Sequence, residues 1–297
     1  MKILAPKKAI KRLFNSLPDA GFYQYKSLQV HGRFCNFRNP KRFSEKIFYR
    51  MRYPVPVFTT LADKVAARDY VARTVGADYV VPAYLSCDSV TPATFDNLPA
   101  SFVMKTSNGF GQVKIVRDMR KEDPAQLAAL ANAWLAAGAA SRSREKHYLS
   151  IPPKILFEKA LLDGGNAPDD YKFNVFNSPG REPFVFIQHM HGRFRDLEQQ
   201  LYLEDWSPAP FEMDLPLLRP SSGTTEKPEA LPEMLALAKK LAQPLGYLRV
   251  DFYVHQGKVY VGELTVTPGA GTYVFTPKAW DLSLGERFGW PEHPTEA

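Results

Sequence analysis

Cysteine is almost missing from this 297-residue chain: only Cys35 and Cys87 occur. They have neither the spacing of a zinc site nor the density of a disulfide framework, so a small metal- or disulfide-stapled scaffold is excluded. Both read as inert thiols in a reducing cytoplasm. No uninterrupted apolar run approaches the roughly 18 residues of a membrane span. The opening MKILAPKKAIKRLF is basic but lacks an apolar stretch and a small-residue cleavage site, which reads against a secretory signal. Acidic residues are scarce at the front: Asp19 and Glu45 are the only two among residues 1–60, against 13 Lys and Arg. That segment carries +11 where the whole chain carries +7, so the remaining 237 residues carry −4. A basic front on a slightly acidic body fits an acidic glycan or an anionic membrane surface as partner, or a merely solubilising surface. No nucleic-acid motif sits among these charges, and nucleic acid is not expected.

What is present has a readable order. Residues 3–17 pattern as an amphipathic helix, with Ile3, Leu4, Ile10, Leu13 and Phe14 against Lys7, Lys8, Lys11 and Arg12. Such a helix could lie on an anionic membrane or dock on its own domain. Residues 1–60 are taken as a basic N-terminal region ending in the stiff Tyr53-Pro54-Val55-Pro56. A helix over 61–75 stops at Gly76. Strands are expected at 101–106 and 113–117, around the loop Asn108-Gly109-Phe110-Gly111-Gln112. Asp123 and Pro124 then open a helix to about residue 140 that turns Leu127, Leu130, Ala131, Trp134 and Leu135 inward. After residue 150 come strands at 155–162, 171–176 and 184–190, a Pro-rich stretch over 207–232, a helix from Pro232, and strands at 247–254 and 258–264. Helices mixed with short, mainly antiparallel strands give an α+β protein, with a middle unit at 61–150 and a C-terminal unit at 151–297.

Three places carry chemistry. In Arg249-Val250-Asp251-Phe252, Arg249 and Asp251 share one strand face, and a three-residue turn Gln256-Gly257-Lys258 would set Asp251 opposite Glu263 and Arg249 opposite Thr265. Opposed carboxylates repel unless a hard cation such as magnesium sits between them. A two- or four-residue turn would throw the acids to opposite faces and leave a surface hairpin. The second place is Lys105, closing an apolar strand before the Gly109 and Gly111 loop, where an ammonium and backbone N–H groups can meet phosphates. An ordinary Asn-Gly hairpin is the alternative. The third is Ile155–Leu161, whose apolar side chains and backbone could hold an adenine, with Asp170 and Lys172 on the next strand for ribose and phosphate; an edge strand with plain ion pairs is equally open. His189, His191, Arg193 and Arg195 follow a strand and could hold an acceptor carboxylate or sugar.

Taken in order, these pieces resemble the ATP-grasp superfamily, and within it the TupA-like branch named for teichuronopeptide biosynthesis. The similarity runs over roughly 37–290, through Asn39-Pro40, Phe43, Glu45-Lys46-Ile47, Ala62-Asp63-Lys64, Arg68, Tyr70-Val71, Lys105, Pro153, Glu158-Lys159, Asp170-Tyr171-Lys172-Phe173, Asp205-Trp206, Arg249-Val250-Asp251-Phe252 and Gly262-Glu263-Leu264-Thr265. The resemblance implies two α+β subdomains with a nucleotide cleft between them, plus the short basic helical region. It implies that Lys64 and Lys105 meet ATP phosphates under the Gly109 and Gly111 loop. Glu158, Lys159 and Leu161 would meet adenine, and Asp170 the ribose. Asp251 and Glu263 would hold Mg2+, joined by Thr265 where the superfamily has asparagine. The activity implied is carboxylate–amine ligation through an acyl phosphate, with Arg249 stabilising the tetrahedral intermediate, joining an amino acid to a uronic acid of a surface polysaccharide. Phosphoryl transfer to a glycan hydroxyl and a non-catalytic nucleotide-binding scaffold are the other readings.

Overall fold

The structure, a computed structural model, describes residues 17–137, 144–163, 166–192, 197–214, 224–291 and the backbone of 219–220. The amphipathic segment expected over 3–17 lies outside the described residues except for Leu17, as do Arg193, Arg195 and the end of the helix expected to reach residue 140.

Two antiparallel sheets organise the chain. The smaller has the order β1-β4-β2-β3, from Ala83–Cys87 (β1), Phe102–Thr106 (β2), Val113–Val116 (β3) and Ile155–Lys159 (β4). Sequence reading groups 155–159 with the C-terminal half, but β4 pairs with both β1 and β2, so its backbone hydrogen bonds belong to the small sheet. The larger sheet runs β11-β10-β5-β6-β7-β9, from Asp170–Phe176 (β5), Phe184–His191 (β6), Glu198–Leu203 (β7), Arg219–Pro220 (β9), Tyr247–His255 (β10) and Lys258–Thr265 (β11). A two-stranded ribbon joins Glu212–Asp214 (β8) to Val274–Thr276 (β12).

Seven helices are described: Asp19–His31 (α1), Phe43–Arg52 (α2), Pro56–Ala62 (α3), Ala66–Thr74 (α4), Pro124–Ala137 (α5), Leu231–Ala242 (α6) and Ala279–Arg287 (α7). The helix expected over 61–75 is two, α3 and α4. Asp63 takes an extended backbone (φ −74°, ψ 112°), and its carboxylate accepts the Val65 N–H at 2.9 Å. Short side chains of this kind compete with the helix for its own N–H groups. The break sets Lys64 on a turn instead of a helix side. In α5, Asp123 accepts from Ala125 N–H at 2.8 Å and Leu127, Ala128 and Ala131 turn inward, while Leu130 faces out.

Alternation along β10 and β5 divides the large sheet. One face sends Phe173, Val175, Leu248, Val250 and Phe252 against α3, α4 and α6. The other sends Phe176, Phe186 and Tyr247 against α1, α2 and α7, where Phe43, Ile47, Phe48 and Met51 are at most 1% exposed. Each such side chain contributes about 1.5–3 kcal/mol of burial, so residues after about 18 are part of the platform. Glu45 accepts the N–H groups of Asn36, Lys41 and Arg42, and Lys46 donates to the carbonyls of Gly285 and Phe288 at the end of α7. A cation suits the carbonyl end of a helix. His147, in the turn Lys146–Ser150 beside α3, is 1% exposed, and neither ring nitrogen has a hydrogen-bond partner among the described residues. Burial, helped by nearby Arg50, holds its pKa down to about 4.

Candidate active site

Asp251 and Glu263 are directly opposed, as the sequence suggests, but not by the expected turn. His255 pairs with Lys258 across a two-residue turn, Gln256 (φ 52°) and Gly257 (φ 74°). Both central residues at positive φ make it the type I′ turn that suits twisted hairpins. That turn alone would put the acids on opposite faces. The register is restored by a bulge: Phe252 pairs with Val261 and Asp251 with Glu263, so Gly262 is the extra residue. A Cβ at Gly262 would lie 2.3 Å from Cε2 of Tyr253, so only glycine fits under that ring.

Around this pair the two sheets approach each other. Arg249 grips Asp251 through Nε at 2.6 Å and Nη2 at 2.8 Å, and Lys172 Nζ donates to the same carboxylate at 2.6 Å. Arg249 Nη2 also lies 3.7 Å from Glu263, and Asp170 lies 3.7 Å from Lys172. Asp251 is 2% exposed. Burial pushes its carboxyl up, but Arg249 and Lys172 outweigh burial and hold it below the usual carboxylate range. For Glu263, burial and Asp251 raise the pKa, Lys64 and Arg249 lower it, and the net direction is down. Behind Arg249, the buried amides of Asn174, Gln188 and Gln199 form a hydrogen-bonded row across β5, β6 and β7.

From the small sheet, Lys105 on β2 meets Glu158 on β4 at 2.5 Å, and Arg68 on α4 lies 3.7 Å from the other Glu158 oxygen. Lys64 joins the halves: its Nζ donates to the Gly109 carbonyl and lies 3.3 Å from Glu263. Gly111 sits at φ +80°, which favours glycine, whereas Gly109 has ordinary backbone and room for a side chain. An open cleft of about 420 Å³ results, with Lys64, Arg68, Lys105, Glu158 and Glu263 at its charged end and Val80, Val81 and Val261 among its apolar walls.

Most residues selected from sequence therefore gather here. Leu161 packs on Val81 and Tyr260 at the apolar end. The Lys159 N–H is already taken by the Pro82 carbonyl at 2.8 Å. Thr265 pairs opposite Arg249, on the acids' side of β11. His191 is not brought in. Lys172 pairs with Gln188, so by alternation His189 and His191 project from the opposite face of the sheet. There His191 stands 5.3 Å from His189, which stacks on Tyr171. Arg68, Val80 and Val81 were given no role from sequence; Arg68 stands four residues after Lys64, a spacing that points there.

Among the described residues no group of three or more His, Cys, Asp or Glu is arranged to hold a metal ion. The ionised pair Asp251 and Glu263 does fit magnesium arriving with a nucleotide, which takes one or two carboxylates and completes its shell with phosphate and water.

Two antiparallel sheets thus enclose a cleft to whose charged lining both contribute cations and acids, the architecture of the ATP-grasp fold. The chain belongs to the TupA-like ATP-grasp family, which it matches over residues 45–289. No curated protein sequence matches it. Among solved structures, a D-alanine–D-alanine ligase from Bacillus anthracis complexed with ATP is similar at 15% identity and TM-score 0.41, over 72% of this chain and 56% of that one. The D-alanine–D-alanine ligase from Helicobacter pylori gives 17% and 0.45 over 77% and 61%. Phosphoribosylamine–glycine ligase from Thermotoga maritima gives 14% and 0.45 over 80% and 57%. The chain thus spans less than two thirds of these neighbours' length. No helix among the described residues is long and apolar enough to cross a membrane.

Proposed function

We propose that this protein is an ATP-dependent carboxylate–amine ligase that forms an amide through an acyl phosphate, joining an amino acid to a uronic acid of a surface polysaccharide. The observation that carries the reading is the convergence of Lys64, Arg68 and Lys105 with Asp251 and Glu263 in one cleft. Lys64, Arg68 and Lys105 would neutralise the triphosphate, while Val80, Val81 and Val261 face the base. Asp170 would take the ribose. Asp251 and Glu263, with Thr265 beside them, would hold Mg2+, which supplies charge neutralisation on the phosphates. An oxygen of the substrate carboxylate attacks the γ-phosphorus and ADP leaves. The amine then attacks the acyl carbon; the C–N bond forms and phosphate departs with the C–O electron pair. Arg249, fixed by Asp251, would stabilise the oxyanion of that intermediate. Lys172 holds Asp251 ionised and in place.

The glycan part of the reading is supported by the family and by the basic first 60 residues. An ADP-release screen pairing amino acids with uronic-acid nucleotides or oligosaccharides tests it. Turnover that requires both a carboxylate and an amine is expected. ADP release with a hydroxyl acceptor and no amine would replace ligation by kinase-type transfer, and tight ATP binding without any turnover would leave a scaffold.

A further inference from the structure

The buried amide row behind Arg249 has a direction. Gln199 Nε2 donates to the Met213 carbonyl on β8 at 3.0 Å, and Asn174 Nδ2 donates to the Lys172 carbonyl at 3.3 Å. A carbonyl only accepts, so each of these contacts fixes which way its amide is turned. Gln188, between them, must turn the same way. Its oxygen accepts from Asn174 Nδ2 at 3.2 Å, and its own Nε2 donates to Gln199 at 3.1 Å. Tyr247 on β10 completes the row, its hydroxyl donating to Asn174 Oδ1 at 2.7 Å. Every amide oxygen in the row therefore points toward β10 and every link donates toward β8. Asn174 and Gln188 are fully buried, so a broken link strands a polar group in a low-dielectric interior.

The row runs beside the proposed reaction centre. Asn174 is the direct cross-strand neighbour of Arg249, and Gln188 that of Lys172. Side chains so paired share one face of the sheet. The oxygen ends thus turn toward the strand where Arg249 and Lys172 share Asp251. At the far end, Met213 pairs with Phe275 across the β8–β12 ribbon. Two residues before Phe275 stands Tyr273, whose hydroxyl accepts from Arg249 Nη1 at 3.2 Å. Its buried ring leans on Gly269, where a Cβ would come within 2.4 Å. The contacts close a circuit, from Arg249 through Tyr273 and the ribbon to Met213, and back through three amides. The guanidinium is pinned at two edges, by Asp251 through Nε and Nη2 and by Tyr273 through Nη1. Three of the five N–H groups of a guanidinium are so committed, and two stay available to an oxyanion.

We propose that Asn174, Gln188 and Gln199 are positioning residues for Arg249: together with Tyr273 and the β8–β12 ribbon they set the plane of its guanidinium. The use made of that plane rests on the ligase reading above, in which Arg249 meets the oxyanion of the tetrahedral intermediate. None of the three amides lines the nucleotide cleft. Loss of the row is therefore felt in the chemical step and not in ATP binding, because a displaced oxyanion donor loses much of its worth.

The test reads Arg249 directly, through proton–nitrogen NMR of its Nε–H in the full chain, with Arg249→Lys identifying the resonance. That proton is held by Asp251 at 2.6 Å. Its exchange with water should be at least tenfold faster in Gln188→Met. Asn177→Leu removes an amide bonded to the Ala242 and Leu245 carbonyls, away from the row, and should leave the exchange within twofold. The double variant Gln188→Met/Gln199→Met removes the stranded amide, so it should regain stability while exchange stays fast. In the complete reaction, kcat of both Gln188 variants should fall at least tenfold with KM for ATP within twofold. Unchanged exchange or unchanged kcat in the Gln188 variants would overturn the proposal, as would equal acceleration in Asn177→Leu. A native chain that binds ATP but turns over no carboxylate and amine would sink the ligase reading instead, and the exchange rates would still decide the positioning.

Discussion

At the foot of α2, Glu45 and Lys46 are buried, and each is satisfied by backbone groups: three N–H for the acid, two carbonyls for the ammonium. In the cleft, Lys64, Arg68, Lys105, Lys172 and Arg249 instead lean on four carboxylates, Glu158, Asp170, Asp251 and Glu263, drawn from both sheets. The first arrangement is closed, because both ions are held by fixed backbone groups. The second keeps one cation in excess and pairs its charges with side chains that can swing. Both sets lie in family motifs, yet only the second can take up a polyanion. Motif membership alone therefore does not separate a residue that builds the platform from one that works on it.

The contrast can be broken first at Asp251. Asp251→Ala strands two buried cations, so it should cost about 3–5 kcal/mol of stability and abolish ATP turnover, read by denaturant unfolding beside ADP release. Loss of turnover with unchanged stability would mean that Arg249 and Lys172 do not depend on it. Glu263→Gln sharpens the point, because that side chain is 32% exposed. Turnover should fall by about 10²-fold or more with a stability change within about 1 kcal/mol.

On the closed side, Lys46→Met should lower stability by about 2–3 kcal/mol, since charge-assisted bonds to two carbonyls are lost. ADP release per folded molecule should stay unchanged; a fall would move Lys46 into the working set. Gly262→Ala should cost about 1–3 kcal/mol through contact with Tyr253, and turnover should drop further than stability predicts as the acid register shifts. The smallest effect is acid-linked. His147 titrates near 4 when folded and near 6.5 when unfolded. Below 6.5 the unfolded chain takes the proton first, so stability falls by about 2 kcal/mol from pH 7 to pH 5. Guanidinium unfolding at the two pH values should show a larger loss in the native chain than in His147→Phe, where His31, also lowered by burial, contributes in the same direction.

The acids, Arg249, Lys105 and Lys172 were legible because they stand out on apolar strands of period two, and alternation fixes their face. Their opposition was reached through the wrong turn. Gln256 at positive φ carries no glycine signal, and an extra residue in a strand leaves no trace in hydropathy, so two errors of one residue cancelled. The helices α1 and α2 were missed as separate elements because neither N-cap side chain makes a capping hydrogen bond and aromatic residues mask the period. Strands β8, β9 and β12 are only two or three residues long, and β7 opens with the polar run Glu198-Gln199-Gln200, so local pattern is weak. His191 failed for a different reason: its strand was identified correctly, but which face meets the cleft depends on the whole sheet.

The break between α3 and α4 has a last consequence. Because Lys64 touches the Gly109 carbonyl of one half and Glu263 of the other, on the proposed reading the ammonium would act as a latch for a phosphate to unfasten. Unfastening it would free Glu263 for a divalent ion, and an ion on Glu263 would free Lys64 for a phosphate. Nucleotide and metal would then strengthen each other's binding by one and the same factor, whichever arrives first.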